Sequence, residues 1–125
     1  MSPVETLHQW ISAINDHDVT RIASLMTPDS VFVDSLGNRV ESARTIEAGW
    51  RSYFAICPDY WIRAESSISE GDTTLISGEA GGTIDGETWG IPAAWKAVIR
   101  DGLMLEWRVF ADNKPVYEIL ARRRH

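Results

Sequence analysis

The chain has 125 residues and a formal net charge of −6, and its 44% hydrophobic and 24% charged residues are ordinary for one globular domain. The acidic balance argues against nucleic-acid binding, because a phosphate backbone would be repelled. No apolar run reaches the roughly 18 residues of a membrane helix, and no signal-peptide pattern opens the sequence. A single cysteine, Cys57, permits no internal disulfide. We therefore expect one cytoplasmic domain over residues 1–125 with no membrane partner.

Three amphipathic segments and one β-rich run are predicted in the first half of the chain. Apolar residues recur at helical spacing in each segment, and Asp18 and Ser42 are suitable N-caps for the second and third helices. The predicted helices span residues 4–15, 19–26 and 43–56. The run 31–34 predicts a short strand, which the turn-forming residues 35–38 close.

Alternation of apolar and polar residues predicts four strands in the second half. The predicted strands span residues 60–69, 73–83, 93–99 and 103–111. Asp101-Gly102 is a two-residue hairpin signal before the last strand, whereas a Gly-rich loop and Pro92 precede the third. Three helices covering one face of a curved antiparallel sheet make an α+β fold.

Aromatic side chains are expected to converge on the inner face of this sheet. Trp107 and Val109 lie on the apolar face of the last strand, and Trp95 is expected beside them. The helix stripes direct Trp10, Trp50 and Phe54 toward the same volume. This set fits either the wall of a pocket for a flat, mostly apolar ligand or ordinary core packing, and the pattern leaves both open.

Five stretches together carry a family resemblance over about residues 4–113. They are Leu7-to-Asp18, Leu25-to-Asp34, Gly49-to-Tyr60, Glu70-Gly71-Asp72 and Asp101-to-Asp112. In order and spacing they resemble the SnoaL-like, nuclear transport factor 2-like superfamily. The resemblance implies a cone-shaped fold in which helices and a concave sheet enclose a pocket. Members include isomerases, cyclases, hydrolases, dehydratases and non-catalytic binding modules.

The resemblance makes Asp34 the candidate catalytic residue. It matches the position where ketosteroid isomerases carry a general base, and a carboxylate among apolar groups is suited to proton transfer. The alternative is that Asp34 caps the turn 35–38. Those isomerases also use a helix-one tyrosine and a strand acid, and here the matching positions are Trp10 and a residue at or next to Trp95. Steroid-type isomerisation is therefore disfavoured.

The sequence supports other reactions and other kinds of site less well. The ending 106–112 resembles the last strand of limonene epoxide hydrolases, but Val109 stands where they carry a catalytic aspartate. Glu79 is either a second pocket acid or exposed, and Asp112 is expected to hold the C-terminal segment. The three histidines lack zinc-site spacing and no Gly-rich phosphate loop follows a strand, so we predict no metal and no cofactor. The basic tail 122–125 is expected to be a solvated terminus.

Two functions follow as hypotheses. The first is a cofactor-free enzyme in which Asp34 transfers protons on an apolar cyclic or polyketide-like molecule, by isomerisation, aldol-type cyclisation or dehydration. The second is a non-catalytic module that binds a small molecule or serves as a dimeric scaffold. Trp61 and Phe110 are expected on the convex sheet face, and homodimerisation through that face is common in the resembled fold.

Overall fold

The structure, a computed structural model, describes residues 1–123. Four helices and six strands follow one another along the chain: α1 (Pro3–Asn15), α2 (Val19–Ser24), β1 (Met26–Val33), β2 (Arg39–Glu41), α3 (Ala43–Ile56), β3 (Trp61–Glu70), β4 (Thr73–Ile84), β5 (Glu87–Arg100), β6 (Leu103–Ala111) and α4 (Lys114–Arg123). Ser2, Asp18 and Ser42 cap the first three helices by accepting a backbone N–H three residues on. The three predicted helices are confirmed in type, although α2 is two residues shorter.

The six strands form one sheet in the order β2-β1-β6-β5-β4-β3. The strands β3 to β6 are antiparallel neighbours, as predicted, but β1 pairs with β6 in parallel. A parallel pair needs a long connection, and the chain between β1 and β6 supplies one through α3 and three strands. The helices pack on the inner face of this curved sheet, so the predicted α+β class is confirmed.

The strand β5 begins six residues earlier than predicted. Asp85-Gly86 forms a two-residue turn in which both residues have positive φ, 51° and 79°, like Asp101-Gly102 at 54° and 77°. Both turns therefore carry the same Asp-Gly signal that favours tight hairpins. The stretch that was expected to be a Gly-rich loop is thus strand, and it places Trp89 and Ile91 on the inner face.

Two elements, β2 and α4, were not predicted. In α4, Pro115 occupies the first turn and the Asp112 carboxylate accepts the Lys114 N–H at 3.1 Å, so Asp112 holds the C-terminal segment as expected. Val116 and Ile119 on this helix are buried against the sheet. Part of the basic tail lies outside the described residues, but Arg122 forms an ion pair with Glu87 at 2.6 Å.

A β-bulge changes the predicted alternation of β6. Val98 pairs with Glu106 and Ile99 pairs with Met104, so Leu105 is an extra residue on that strand. Residues before the bulge consequently change face, and Met104, which strict alternation from Trp107 would direct outward, is completely buried. Beyond the bulge the alternation holds, and Trp107 faces inward as predicted.

Every residue of β3 after Ile62 is exposed. Strict alternation from the buried Ile62 would direct Ala64 and Ile68 inward, but both are exposed, and Ile68 is 77% exposed. A bulge at Glu65 changes the face of the residues that follow it, so Ile68 pairs with the exposed Leu75 on the convex face. None of the helices in residues 1–123 is long and apolar enough to cross a membrane.

Candidate functional site

A cavity of about 470 Å³ lies between the inner face of the sheet and the helices α3 and α4. Its volume is in the range typical of small-molecule sites. Most of its wall is aromatic or aliphatic. The lining residues are Phe32, Asp34, Ser35, Val40, Thr45, Ile46, Gly49, Trp50, Tyr53, Tyr60, Ala80, Trp89, Ile91, Ala93, Trp95, Trp107, Val109, Ala111, Asn113, Val116, Tyr117 and Leu120.

Four of the six predicted ligand-binding residues lie on the cavity wall: Trp50, Trp95, Trp107 and Val109. Trp95 pairs directly with Val109 across the β5–β6 ladder. The Trp95 and Trp107 rings are nearly parallel, with an interplanar angle of 17° and centroids 6.0 Å apart. The wall thus contains a flat aromatic surface that a planar ring could stack on.

The other two residues, Trp10 and Phe54, are not brought to the wall. Trp10 is 1% exposed and packs behind Trp107, with ring centroids 5.8 Å apart. Phe54 lies behind Trp50 at 5.4 Å and meets His17 edge-on. Helical periodicity indicates which side of a helix is buried, but it does not separate a first layer from a second layer of packing.

Asp34 lies at the solvent-facing end of the cavity, directly after β1. Its Oδ1 accepts the backbone N–H groups of Leu36 and Asn38, both at 2.9 Å, and its Oδ2 accepts the Asn38 side-chain amide at 3.0 Å. The side chain therefore caps the turn after β1, and it also lines the cavity. The capping alternative is therefore observed, and the catalytic role stays a prediction.

A small polar cluster closes the same end of the cavity. Ser35 Oγ accepts the Asn113 side-chain amide at 2.8 Å and lies 3.4 Å from the Tyr117 hydroxyl. These contacts join the turn after β1 to the start of α4. The helix is thereby positioned so that Val116 and Leu120 cover the cavity.

Two further tyrosines lie in the aromatic part of the wall. The rings of Tyr53, in α3, and Tyr60, just before β3, meet edge to face with centroids 5.0 Å apart. Burial raises the pKa of both phenols well above the ordinary value of 10.0, and their mutual proximity adds to the effect at Tyr53. Both side chains are therefore neutral hydroxyl groups at physiological pH.

The backbone around Tyr60 is held from several sides. His17 Nε2 donates to the Tyr60 carbonyl at 2.6 Å. Asn15 exchanges two hydrogen bonds with the backbone of Ile62, at 2.8 and 3.0 Å. Asp59 Oδ1 accepts the Thr83 N–H at 2.7 Å, and hydrogen bonds from Thr83 lower the pKa of that carboxyl. This segment is therefore rigidly placed against the cavity.

The remaining charged groups lie away from the cavity. Glu79, one candidate for a second pocket acid, instead pairs with Arg63 at 2.9 Å on the outer sheet face. Glu106 pairs with Lys96 at 2.9 Å on the same face. Among residues 1–123, the cavity wall includes no lysine, arginine or histidine, and no group of three potential metal ligands was found. The described wall of the cavity therefore has no positively charged side chain that could pair with an anionic ligand.

Several cavity residues were missed for identifiable reasons. Trp89 and Ile91 fell in the stretch assigned to a loop, although Asp85-Gly86 carried a hairpin signal. Val116 and Leu120 belong to a helix whose apolar spacing and preceding Asp-Asn pair were present in the sequence. Tyr53 lay on the predicted stripe of the third helix but was not singled out.

Comparison with known proteins agrees with this architecture. Residues 7–107 match the SnoaL-like domain family. No curated protein matches the sequence. The structure is similar to that of a candidate SnoaL-like polyketide cyclase from Jannaschia sp. CCS1, with 21% identity, a TM-score of 0.84 and coverage of 95% of this chain and 91% of that one.

Two other solved structures show the same fold. A protein from Catenulispora acidiphila with a ketosteroid isomerase-like fold, in complex with trimethylamine, has 18% identity and a TM-score of 0.78, covering 85% of this chain and 84% of its own. TerC, co-crystallised with polyporic acid, has 19% identity and a TM-score of 0.83, covering 95% and 98%. Identities this low establish the fold alone. The family match extends over most of the chain, and the protein therefore belongs to the SnoaL-like domain family.

Proposed function

We propose that the protein binds a flat, largely apolar cyclic molecule of polyketide type in the cavity and performs cofactor-free proton transfer on it. The reaction is an isomerisation, an aldol-type cyclisation or a dehydration. The observation that carries the proposal is the cavity of about 470 Å³ itself, because its aromatic wall ends at a carboxylate. Apolar walls with a few placed polar groups are typical of small-molecule sites.

Asp34 is the proton acceptor in this proposal. A carboxylate has about four acceptor positions, two on each oxygen. The turn uses both positions of Oδ1 but only one of Oδ2. The remaining position on Oδ2 is available to a substrate proton, while the three donors hold the carboxylate in place. A fixed base of this kind needs no reorganisation when the substrate arrives.

The fold relatives support the ligand class. One similar structure is that of a candidate polyketide cyclase, and TerC was co-crystallised with polyporic acid. The parallel indoles of Trp95 and Trp107 favour a planar ligand in this chain as well.

The second candidate function is non-catalytic binding of the same class of molecule. It is favoured by one observation, since all three hydrogen bonds to the Asp34 carboxylate come from its own turn. A side chain that only caps a turn leaves the cavity as a binding site without a base.

Ligand binding and proton transfer can be separated by one experiment. Tryptophan fluorescence is titrated with ketosteroids, cyclic enones and anthraquinones. The ketosteroids and enones that bind are then incubated in D₂O and examined by NMR for deuterium at the carbon next to the carbonyl, because an anthraquinone carries no hydrogen there. Catalysis predicts exchange that is lost in Asp34→Asn but kept in Asp29→Asn, a matched change at an exposed position of β1. Binding without exchange supports the second function. Absence of binding by every probe contradicts both.

We also propose that two copies associate through the convex sheet face. Trp61 and Phe110 both lie on this face, where Leu75 is 54% exposed and Phe110 is 46% exposed. Exposed apolar side chains on one sheet face are typical of an interface. Equilibrium sedimentation at micromolar concentration should show a dimer for the wild type and for Leu36→Glu, a change in a turn, but a monomer for Phe110→Glu. A monomeric wild type would refute the proposal.

A further inference from the structure

Helix α4 follows β6 directly and lies over one side of the cavity. Val116 and Leu120 line the cavity, and Val116 and Ile119 are almost completely buried. Hydrophobic contact is non-directional, so these side chains hold the helix against the cavity while polar contacts fix its position.

Polar side-chain contacts tie this segment to the rest of residues 1–123 at two places. At its start, the Asn113 amide donates to Ser35 Oγ at 2.8 Å, and the Tyr117 hydroxyl lies 3.4 Å from the same oxygen. At its other end, Arg122 pairs with Glu87. The helix is therefore held by one cluster beside its first turn and by one ion pair at its last turn.

The start of α4 separates the cavity from the protein surface. An open depression outside the cavity is lined by residues that include Leu36, Lys114 and Glu118. Outward movement of the helix would join this depression to the cavity and widen the opening beside Asp34, because four residues line both spaces: Ser35, Ala111, Asn113 and Tyr117.

The ion pair at the far end of the helix is a weak contact. Arg122 Nη2 lies 2.6 Å from Glu87 Oε1, but the two side chains are 57% and 49% exposed. An ion pair between exposed side chains contributes little to stability and is screened by salt. Glu87 is the first residue of β5, so this pair ties the end of α4 to the hairpin between β4 and β5.

We propose that α4 is a lid that pivots at Asp112-Asn113, and that the Arg122–Glu87 ion pair is the clasp that holds it closed. The ligand enters and leaves while the clasp is open. Opening exposes apolar side chains of the helix, and their burial returns the lid to the closed position. Lids of this kind belong to the weakly held elements of a fold. The inference rests on the proposed function only in requiring that the cavity takes a ligand.

The test follows the rates at which an uncharged aromatic probe enters and leaves the cavity. N-phenyl-1-naphthylamine is suitable because its fluorescence rises in apolar surroundings, and stopped-flow mixing gives both rate constants. Arg122→Gln should raise the association and dissociation rates by the same factor, about 1.5-fold to fivefold, the range expected for an exposed ion pair. Because both rates share that factor, the dissociation constant should not change.

Arg100→Gln is the matched control for this variant. It also removes an exposed ion pair, with Asp72 at 3.3 Å, but it lies at the opposite end of β5 from Glu87. Both rates should equal those of the wild type. Added sodium chloride should speed both rates in the wild type and in Arg100→Gln but not in Arg122→Gln, since the probe is uncharged and the clasp is the contact that salt screens.

A cross-link tests the lid in the opposite direction. Glu87→Cys and Arg122→Cys are combined and joined by a short bis-maleimide, while Cys57 is buried and protected from the reagent. The cross-linked protein should take up and release the probe about tenfold or more slowly than the same double variant before cross-linking. Circular dichroism checks that each variant is folded.

The outcomes distinguish this inference from the function on which it rests. Unchanged rates in Arg122→Gln and in the cross-linked protein would overturn the lid but leave the cavity as a ligand site, because the probe then enters through the opening beside Asp34. A rise in the dissociation rate alone would do the same, since it indicates a weakened wall. Failure of the probe to bind the wild type would contradict the proposed apolar ligand site and this inference together.

Discussion

Replacing Asp34 with alanine removes three hydrogen bonds from the turn that joins β1 to β2. The donors lie in an exposed turn, where water can replace the lost acceptor, so each bond should contribute at the low end of the usual range, about 0.5 kcal/mol. We therefore expect Asp34→Ala to lower the free energy of unfolding by about 1–2 kcal/mol, similar to the loss of a helix cap.

Two other substitutions should each remove only part of this stabilisation. Asp34→Asn keeps an oxygen for the backbone N–H groups but loses the acceptor for the Asn38 amide, and Asn38→Ala removes the same single bond from the other side. Each should cost about 0.5 kcal/mol. The effects of the two should not add when combined, because they delete one shared interaction.

Urea unfolding followed by tryptophan fluorescence measures these differences. With a slope of about 1–3 kcal/mol per molar urea for a small domain, Asp34→Ala should lower the midpoint by about 0.3–2 M, and Asp34→Asn by half of that or less. A midpoint for Asp34→Ala that equals the wild type would refute the reasoning, because the three contacts would then contribute nothing. If instead Asp34→Asn is nearly as stable as the wild type yet loses proton exchange, the loss is chemical.

Two further predictions concern packing and pH. A Cβ at Gly78 would overlap the carbonyl oxygen of Arg63 on β3, whereas a Cβ at Gly90 meets nothing within 4 Å. Gly78→Ala should therefore lower the free energy of unfolding by about 1–3 kcal/mol, and Gly90→Ala should change it by less than about 1 kcal/mol. Equal thermal midpoints for the two variants would contradict the described strand contact. The raised pKa of Tyr53 and Tyr60 leaves stability unaffected below about pH 10, where both states are protonated, and reduces it above that, because only the unfolded chain ionises readily. The tyrosinate absorbance of these two residues should therefore appear together with unfolding, and its appearance in a protein with native circular dichroism would contradict the burial.

Prediction from the sequence worked where one local period governs the burial of a segment. The stripe of α3 and the alternation of β5 and β6 placed Trp50, Trp95 and Trp107 on the inside, as the structure has them. It did not work where an extra residue interrupts the period, and the bulge at Leu105 accordingly brought Met104 into the core.

The site itself depends on contacts between distant parts of the chain. The indole of Trp10 and the indole of Trp107 both face inward, but only Trp107 reaches the cavity, because helix α1 forms the second layer there. The backbone carbonyl of Tyr60 is held by His17, 43 residues earlier in the sequence. Neither contact can be recognised from the residues that are close to it in the sequence.

The sequence by itself determined the α+β class, the principal helices and strands, and the inward set of tryptophans, because amphipathic periods and capping residues act within a few positions of one another. Only the tertiary structure decided that Trp50, Trp95 and Trp107 border a cavity, that α4 covers it, and that Asp34 both caps its turn and lines the cavity. The physical reason is that a packed core and a lined pocket share one pattern of apolar residues. Whether an empty space remains among these apolar side chains is set by how the helices pack against the sheet.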